Sequence, residues 1–96
     1  MFGSVFRIRP KSGKFPEIRK LMEGQEQEGR LKSSGWQGTH VLQEKNGDVW
    51  IMAVFKDEPS YRANASSPEQ DKAYRQMRDL LEADPEWHDG TIEMSP

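Results

Sequence analysis

The sequence predicts an α+β domain with the ferredoxin-like order β-α-β-β-α-β and an antiparallel sheet. Three observations support this prediction: a hairpin signal at Asn46-Gly47, two amphipathic helix patterns with start signals, and a first segment with period-two alternation. The chain has 96 residues, which is room for one domain, so residues 1–96 are interpreted as a single domain.

Composition excludes several classes of protein. The chain has 14 Lys and Arg against 16 Asp and Glu, so it has no cationic excess that would favour a nucleic-acid or anionic membrane partner. It has no cysteine, which rules out disulfides, thiol nucleophiles and thiolate metal ligands. No apolar run has signal length or the roughly 18 residues of a spanning helix, so we expect a cytoplasmic protein.

The first part of the chain predicts a strand and then a helix. Residues Gly3–Arg9 alternate with a period of two, which is typical of a strand. A helical stripe starts near Lys14 and runs to about Arg30, with Pro16 in the first turn, where its missing N–H is harmless. Serine and glycine at 33–35 predict the next loop.

The hairpin is the strongest local signal, because Asn46-Gly47 is a pair preferred in two-residue type I′ turns. Such a turn places Lys45 opposite Asp48 and His40 opposite Ala53. The predicted inner face then carries Trp36, His40, Leu42, Val49, Ile51, Ala53 and Phe55. The predicted outer face carries Thr39, Val41, Gln43, Trp50, Met52 and Val54.

The last part predicts two helices and a strand. The sequence at 57–65 begins with a helix-start signature and predicts a short helix. Ser67 and Gln70 form a capping-box pattern for a second helix, which we expect to end before Pro85. Thr91–Met94 is the predicted final strand.

The third strand, VWIMAVF, is apolar on both faces. In this topology both helices pack on one face, so the face bearing Val41, Trp50, Met52 and Val54 has no cover within the chain. Burying one such side chain contributes about 1.5–3 kcal/mol. We therefore expect a homodimer in which the partner covers this face; the alternative is a monomer that tolerates a modest apolar patch.

The ordered motifs resemble the antibiotic biosynthesis monooxygenase-like family of the dimeric α/β-barrel superfamily. The resemblance covers Val5 to Glu93 and rests on PKSGKFPEIRKLM, GWQGTHVLQ, WIMAVFKDEPSYRAN and DKAYRQMRDLL. It implies a dimeric α/β barrel. The family includes cofactor-free oxygenases that act on aromatic polyketides or quinol-type substrates, haem-degrading enzymes, and members with no assigned reaction.

The haem-degrading branch is a poor match to this sequence. Its members carry an Asn on the first strand, a Trp at the end of the third and a His on the later helix. By alignment of the quoted motifs, these positions hold Phe6, Phe55 and Tyr74. Phenylalanine cannot hydrogen-bond bound oxygen and tyrosine is a poor iron ligand beside imidazole, so we expect no cofactor.

His40 is the first candidate catalytic residue. The predicted register points it between sheet and helices, near Trp36 and Phe55, where it could act as general base on an acidic phenol. A histidine bonded to a backbone carbonyl accounts for the same position. Tyr74 is the second candidate, as a donor that orients a substrate oxygen; its alternative role is packing with the hydroxyl at the rim.

The predicted ligand-binding residues are Phe6, Trp36, Phe55, Tyr61 and Asn64. The first three would form apolar walls, and the resemblance places the last two where a short helix borders the cavity. An exposed helix end accounts for Tyr61 and Asn64 nearly as well. The acids near His88 have no recognised ligand spacing, so no metal site is predicted.

Three functions are compatible with these observations. The first is a cofactor-independent monooxygenase-like domain, an oxidoreductase, that binds a small aromatic, phenolic or quinol-type ligand between sheet and helices. The alternative is a non-catalytic dimeric domain, either a small-ligand binder or a stress-associated protein; an isomerase of muconolactone type on the same fold is a third reading. A cavity of a few hundred Å³ would favour the first and a filled core the second.

Overall fold

The computed structural model describes residues 1–27 and 35–95. Its elements are β1 (Phe2–Ile8), α1 (Phe15–Gln27), β2 (Trp36–Gln43), β3 (Val49–Phe55), α2 (Glu58–Ala65), α3 (Pro68–Arg78) and β4 (Glu86–Thr91). The strands form one antiparallel sheet in the order β2-β3-β1-β4. This arrangement confirms the predicted α+β, ferredoxin-like fold. The predicted end of the first helix, near Arg30, lies outside the described residues.

The core lies between one face of the sheet, the inner face, and the helices. Its buried members are Ile8, Ile18, Val49, Ile51 and Leu81. Side chains from α1 and from the region of α3 pack against this cluster, including Phe15, Met22, Met77 and Leu80. The outer face of the sheet keeps the half-buried side chains of Val5, Trp50, Met52 and Val54. Apolar burial therefore holds the helices to the inner face.

The hairpin turn is one residue longer than predicted. The Gly47 N–H donates to the Glu44 carbonyl at 3.0 Å, and the Glu44 N–H donates to the Asp48 carbonyl at 2.8 Å. Gly47 has a φ of 94°, whereas Asn46 is not in the positive-φ region. This geometry is a type I turn followed by a left-handed glycine, so the predicted type I′ turn is wrong.

The longer turn shifts the register of β2 by one residue. His40 pairs with Met52 and Val41 pairs with Ile51. Because side chains alternate along a strand, a shift of one residue moves the side chains of β2 from Thr39 to Gln43 to the other face. The predicted inward orientation of His40 and outward orientation of Val41 are therefore both wrong.

A buried carboxylate accounts for the longer turn. Asp48 is 6% exposed, and its Oδ1 accepts a hydrogen bond from Arg9 Nε at 3.1 Å. The Asp48 N–H donates to the Asn46 side-chain oxygen at 2.9 Å. The Asn46 contact lies within the turn, whereas the Arg9 contact ties the turn to the end of β1, a tertiary partner that local turn preference does not include.

A bulge corrects the register at the other end of β2. The pairing passes directly from Gly38 opposite Val54 to Trp36 opposite Phe55, which leaves Gln37 as the extra residue. The bulge returns Trp36 to the inner face beside Phe55. The predicted inward orientation of Trp36 is therefore correct, although the register shift moves His40 to the outer face.

Both predicted helix starts are confirmed. Asp57 caps α2 by accepting from the Ser60 N–H at 2.9 Å, and Ser67 caps α3 by accepting from the Gln70 N–H at 3.1 Å.

None of the helices in the described part of the chain combines the length and the apolar character that a membrane span requires.

The final strand lies earlier than predicted. It spans Glu86–Thr91, so the predicted strand at Thr91–Met94 is wrong. Pairing with β1 decides its position, since Trp87 lies opposite Phe6 and Asp89 opposite Ser4. As an edge strand with exposed residues, β4 lacks the apolar alternation that identifies a strand in sequence.

Candidate functional site

A cavity of about 790 Å³ lies between the inner face of the sheet and the helices. Its aromatic lining consists of Phe6, Phe15, Trp36, Phe55, Tyr61, Tyr74 and Trp87. Ligand cavities in proteins commonly have volumes of roughly 300–1,000 Å³. The space is therefore large enough for a small aromatic molecule.

The structure brings nearly all predicted site residues to this cavity. The residues of the predicted set that line it are Phe6, Trp36, Phe55, Tyr61, Asn64 and Tyr74. His40 is exposed on the outer face, opposite Met52, and a general base must lie within hydrogen-bond reach of the proton it takes. The placement on which its predicted catalytic role depended is therefore wrong.

One aromatic cluster joins β1, β4 and α3. The rings of Phe6 and Trp87 lie 4.2 Å apart at an interplanar angle of 32°. The Tyr74 ring lies 6.2 Å from Trp87. Tilted rings at such distances attract through their quadrupoles as well as through burial. They give the cavity an aromatic wall that includes Trp87, which sequence reasoning did not assign to the site.

A second aromatic cluster surrounds Tyr61 on α2. Its ring lies 5.2 Å from that of Phe2 and 5.5 Å from that of Phe55, which it meets edge-on at 71°. These contacts fix the plane of the tyrosine ring and hence the position of its hydroxyl.

A hydrogen-bonded polar cluster occupies the wall between the two aromatic groups. The Ser4 hydroxyl donates to Asp89 Oδ1 at 2.6 Å, and the Tyr61 hydroxyl donates to Asp89 Oδ2 at 3.2 Å. The Tyr61 hydroxyl also lies 3.4 Å from Ser4 Oγ. Each carboxylate oxygen therefore accepts one hydroxyl, which fixes the orientation of the Asp89 side chain.

The cluster changes the acidity of the tyrosine. Burial raises the pKa of the Tyr61 hydroxyl, the hydrogen bond with Ser4 opposes this change, and the negative charge of Asp89 raises the pKa further. A tyrosine is neutral at pH 7 at its ordinary pKa of 10.0, and the raised pKa of Tyr61 extends to higher pH the range in which its hydroxyl can donate.

Another hydrogen bond orients the indole at the β2 side of the cavity. Trp36 Nε1 donates to Thr39 Oγ1 at 2.8 Å. Thr39, Val41 and Gln43 also line the cavity, because the observed register turns them inward. Correct assignment of the turn would have found these residues.

Ser4 and Asp89, two of the polar cavity residues that sequence reasoning missed, were missed for different reasons. Ser4 has the same parity as Phe6 on β1, so alternation alone could have placed it on the cavity face. Asp89 lies in a strand that was expected elsewhere, and only the pairing of β4 with β1 brings it to Ser4.

In the described part of the chain, no group of three or more metal-binding side chains is arranged to hold a metal ion.

The sequence profile of the antibiotic biosynthesis monooxygenase family matches residues 1–76. The chain belongs to this family. The matched part contains β1 through nearly all of α3, so it includes Tyr61, Asn64 and Tyr74. Trp87 and Asp89 lie beyond it. No curated protein matches the sequence.

Three solved structures that share this fold have low sequence identity to the chain. A conserved protein from Methanosarcina mazei Go1 is 21% identical with a TM-score of 0.79, covering 92% of this chain and 88% of that one. Rv0793 from Mycobacterium tuberculosis is 13% identical with a TM-score of 0.80, covering 98% and 96%. A mutant of SnoaB, a cofactor-independent oxygenase from Streptomyces nogalater, is 16% identical with a TM-score of 0.76, covering 98% and 94%. At these identities the likeness shows a shared fold only. The reaction has to be inferred from the residues of the site itself.

Proposed function

We propose that this antibiotic biosynthesis monooxygenase family member is a cofactor-independent oxygenase that binds a small phenolic or quinol-type ligand between the sheet and the helices. The observation that carries the proposal is the cavity of about 790 Å³ with seven aromatic side chains in its lining. Aromatic walls favour a planar ligand through area burial and ring contacts. SnoaB, which shares the fold, is a cofactor-independent oxygenase.

The reaction requires little of the protein beyond binding and proton transfer. An anthrone-type ligand loses a proton, and the resulting electron-rich carbanion reacts with dioxygen. The CH₂ group becomes a carbonyl, one atom of dioxygen enters the product, and the two hydrogens leave with the other atom as water. These steps need a cavity that excludes water and a base placed to take the proton.

The Asp89 carboxylate is the group we assign as proton acceptor. It lines the cavity and is oriented by Ser4 and Tyr61, whereas His40 lies on the other face of the sheet. Tyr74 is assigned as a donor that positions a substrate oxygen, and Phe6 is assigned to the apolar wall. These roles follow from position relative to the cavity and from the chemistry of each side chain.

Oxygen consumption with an anthrone-type phenol tests the proposal. We expect saturable, protein-dependent uptake that falls at least about tenfold in Asp89→Asn, because one positioned base contributes about 10² to 10⁴ in rate. The matched control is His40→Ala, which should leave uptake unchanged because His40 faces away from the cavity. Uptake that depends on His40 and not on Asp89 would refute the assigned roles, and uptake no faster than in buffer would refute the oxygenase.

A non-catalytic ligand-binding domain is the second candidate. One observation favours it: among the described residues that line the cavity there is no histidine, the side chain whose charge changes most readily near neutral pH. Saturable binding of the anthrone without oxygen consumption would favour this function.

We also propose that the protein is a homodimer through the outer face of the sheet. Trp50, Met52 and Val54 lie there with Val5, and all four are half-buried. Leu42, which the observed register turns outward in place of Val41, is 59% exposed. A second copy would remove these apolar side chains from water. The expectation of a dimer is thus retained, with Leu42 replacing Val41 at the interface.

A further inference from the structure

We propose that Thr39 donates a hydrogen bond to a carbonyl oxygen of the ligand, and that the ligand lies in a trough that crosses the inner face of the sheet from Thr39 to Asp89. The inference rests on the proposed function and deepens it, because it adds a residue and a ligand orientation to the same cavity. Both residues line that cavity.

A bulge in β2 brings the side chains of Trp36 and Thr39 together. On a regular strand, residues three positions apart point to opposite faces, whereas the extra residue Gln37 lets both side chains turn inward. Trp36 Nε1 therefore reaches Thr39 Oγ1, to which it donates at 2.8 Å. The bulge thus aligns a hydroxyl group that a regular strand would keep away from this indole.

The direction of that hydrogen bond leaves the hydroxyl hydrogen of Thr39 available. An indole N–H only donates, so the threonine oxygen is the acceptor. Within the described part of the chain, no acceptor takes the hydroxyl hydrogen in return. Thr39 is half-buried and lines the cavity, and a hydroxyl that already accepts a hydrogen bond is polarised into a stronger donor. Thr39 therefore presents a donor to a ligand in the cavity.

Thr39 and Asp89 lie at the two ends of one row of paired residues. Across the four strands the row is Thr39, Ala53, Ser4 and Asp89, and all four residues line the cavity. The rows on either side carry bulky side chains: Val41, Ile51, Phe6 and Trp87 in one, and Trp36, Phe55 and Phe2 in the other. The row of small side chains is therefore a trough with an apolar wall on each side.

The trough is long enough for a fused aromatic ring system. Three strand spacings of about 4.8 Å place the backbones of β2 and β4 roughly 14 Å apart, and both end side chains reach inward. The hydrogen bond of 2.6 Å from Ser4 holds the Asp89 carboxylate toward the middle of the sheet. Anthrone has its carbonyl and its acidic CH₂ on opposite sides of one ring, so it can place the oxygen at Thr39 and the CH₂ at Asp89.

This orientation puts a donor where charge develops. When Asp89 takes a proton from the CH₂ group, the electron pair left on carbon delocalises onto the carbonyl oxygen and forms an enolate. The hydrogen bond from Thr39 strengthens as the charge on that oxygen grows, so a donor already in place lowers the barrier. A carbonyl oxygen has two lone pairs and can accept from Tyr74 as well, so the role assigned to Tyr74 is retained.

Titration calorimetry with two probes of the same skeleton tests the donor without turnover: 1-tetralone carries a ring carbonyl, and tetralin does not. Thr39→Val keeps the shape of the side chain and removes the hydroxyl. It should lower the ratio of tetralone to tetralin affinity about threefold or more, since one net hydrogen bond gives roughly two- to tenfold in affinity. Thr39→Ser keeps the hydroxyl and should retain the ratio. The matched control is Thr91→Val, an exposed position on β4, which should also retain it.

Oxygen uptake with anthrone tests the role of Thr39 in the reaction. Thr39→Val should lower kcat at least about tenfold, because removal of one donor to an oxyanion costs about 10² to 10³ in kcat, and should change KM much less. Thr39→Ser should restore most of kcat. Trp36→Phe removes the N–H that aligns Thr39 and keeps an aromatic ring, so it should lower kcat by a smaller factor. An effect of Thr39→Val on KM alone would contradict the assigned role.

Ala53→Leu tests the position of the ligand, because Ala53 forms the floor of the trough beside Ser4. The larger side chain should weaken the binding of both probes at least about tenfold by filling the space of the ring. The matched control is Ala63→Leu, at an exposed position on α2, which should leave both affinities unchanged. Binding that is unchanged in Ala53→Leu, or an affinity ratio that is unchanged in Thr39→Val, would overturn the inference.

The two proposals fail in different ways. If oxygen uptake depends on Asp89 but neither kcat nor the affinity ratio responds to Thr39→Val, the proposed function stands and this inference fails. If no oxygen is consumed but the affinity ratio responds to Thr39→Val, the oxygenase fails and the carbonyl donor stands. If neither probe binds and no oxygen is consumed, both fail.

Discussion

Ser4 on β1 and Asp89 on β4 are 85 positions apart in sequence, and a hydrogen bond of 2.6 Å joins their side chains. The antiparallel pairing of the two strands places the residues directly opposite each other. Ser4 is 1% exposed, so its hydroxyl needs a partner inside the protein, and Asp89 provides one. This pair anchors the polar part of the cavity wall.

Ser4→Ala should therefore destabilise the protein. The substitution removes a hydrogen bond to a charged acceptor, which contributes about 1.5–3 kcal/mol, so we expect the free energy of unfolding to fall by about 1–3 kcal/mol. Urea denaturation of the two proteins measures this difference. The control is Ser95→Ala, an exposed position near the C-terminus, which should change stability by less than about 0.5 kcal/mol. An equal effect of both substitutions would contradict the assigned hydrogen bond.

The raised pKa of Tyr61 predicts a loss of stability at high pH. In the unfolded chain the tyrosine ionises near its reference pKa of 10.0, whereas burial raises the pKa in the folded protein. The folded state then binds more protons than the unfolded state between the two values, so stability is full below about pH 10 and falls as pH rises through the folded pKa. Tyr61→Phe should remove this dependence, and Tyr74→Phe is the control that should retain it. Urea denaturation across the alkaline range provides the comparison; an identical slope in wild type and Tyr61→Phe would contradict the prediction.

The hairpin turn and the first helix give opposite predictions for the same substitution. Gly47 has a φ of 94°, a conformation that costs a residue with a Cβ about 1–2 kcal/mol, so Gly47→Ala should lower stability by about that amount. Gly24 lies within α1 with no heavy atom within 4 Å of an added Cβ, so Gly24→Ala should raise stability by about 0.5–1 kcal/mol. Thermal denaturation of both variants tests the turn geometry. Stabilisation by Gly47→Ala would contradict it.

The proposed homodimer gives a prediction for the state of assembly. Light scattering should give a mass twice the 11.1 kDa of one chain, and Met52→Lys should give a folded monomer, because a charged group at the centre of an apolar interface stays unpaired. Gln37→Lys, at an exposed position of the bulge in β2, is the matched control and should leave the mass unchanged. A wild-type protein that sediments as a monomer at micromolar concentration would rule out this interface.

Local sequence signals predicted most of the elements because short-range chemistry decides them. The alternation of β1 and the caps at Asp57 and Ser67 appear in the structure as expected. Each depends on contacts between residues a few positions apart, which are present in the sequence itself. The aromatic lining residues Phe6 and Tyr74 were singled out by alignment with the motifs of the resembled family, and strand parity and helical spacing also place them on the core side.

Tertiary contacts decided the features that local signals could not. The orientation of His40 depended on the length of a turn that is followed by Asp48, whose side chain is bonded to Arg9 at the end of β1. The position of β4 depended on its pairing with β1, because its own residues carry little apolar pattern.

The sequence by itself determined the fold class, the helix starts and the apolar side of the cavity. The tertiary structure decided which face of β2 looks inward and brought Ser4, Tyr61 and Asp89 together. The physical reason is that strand register and long-range hydrogen bonds depend on interactions between residues that are far apart in sequence. A one-residue difference in the turn, small in local energy, reverses the side chains of β2 from Thr39 to Gln43.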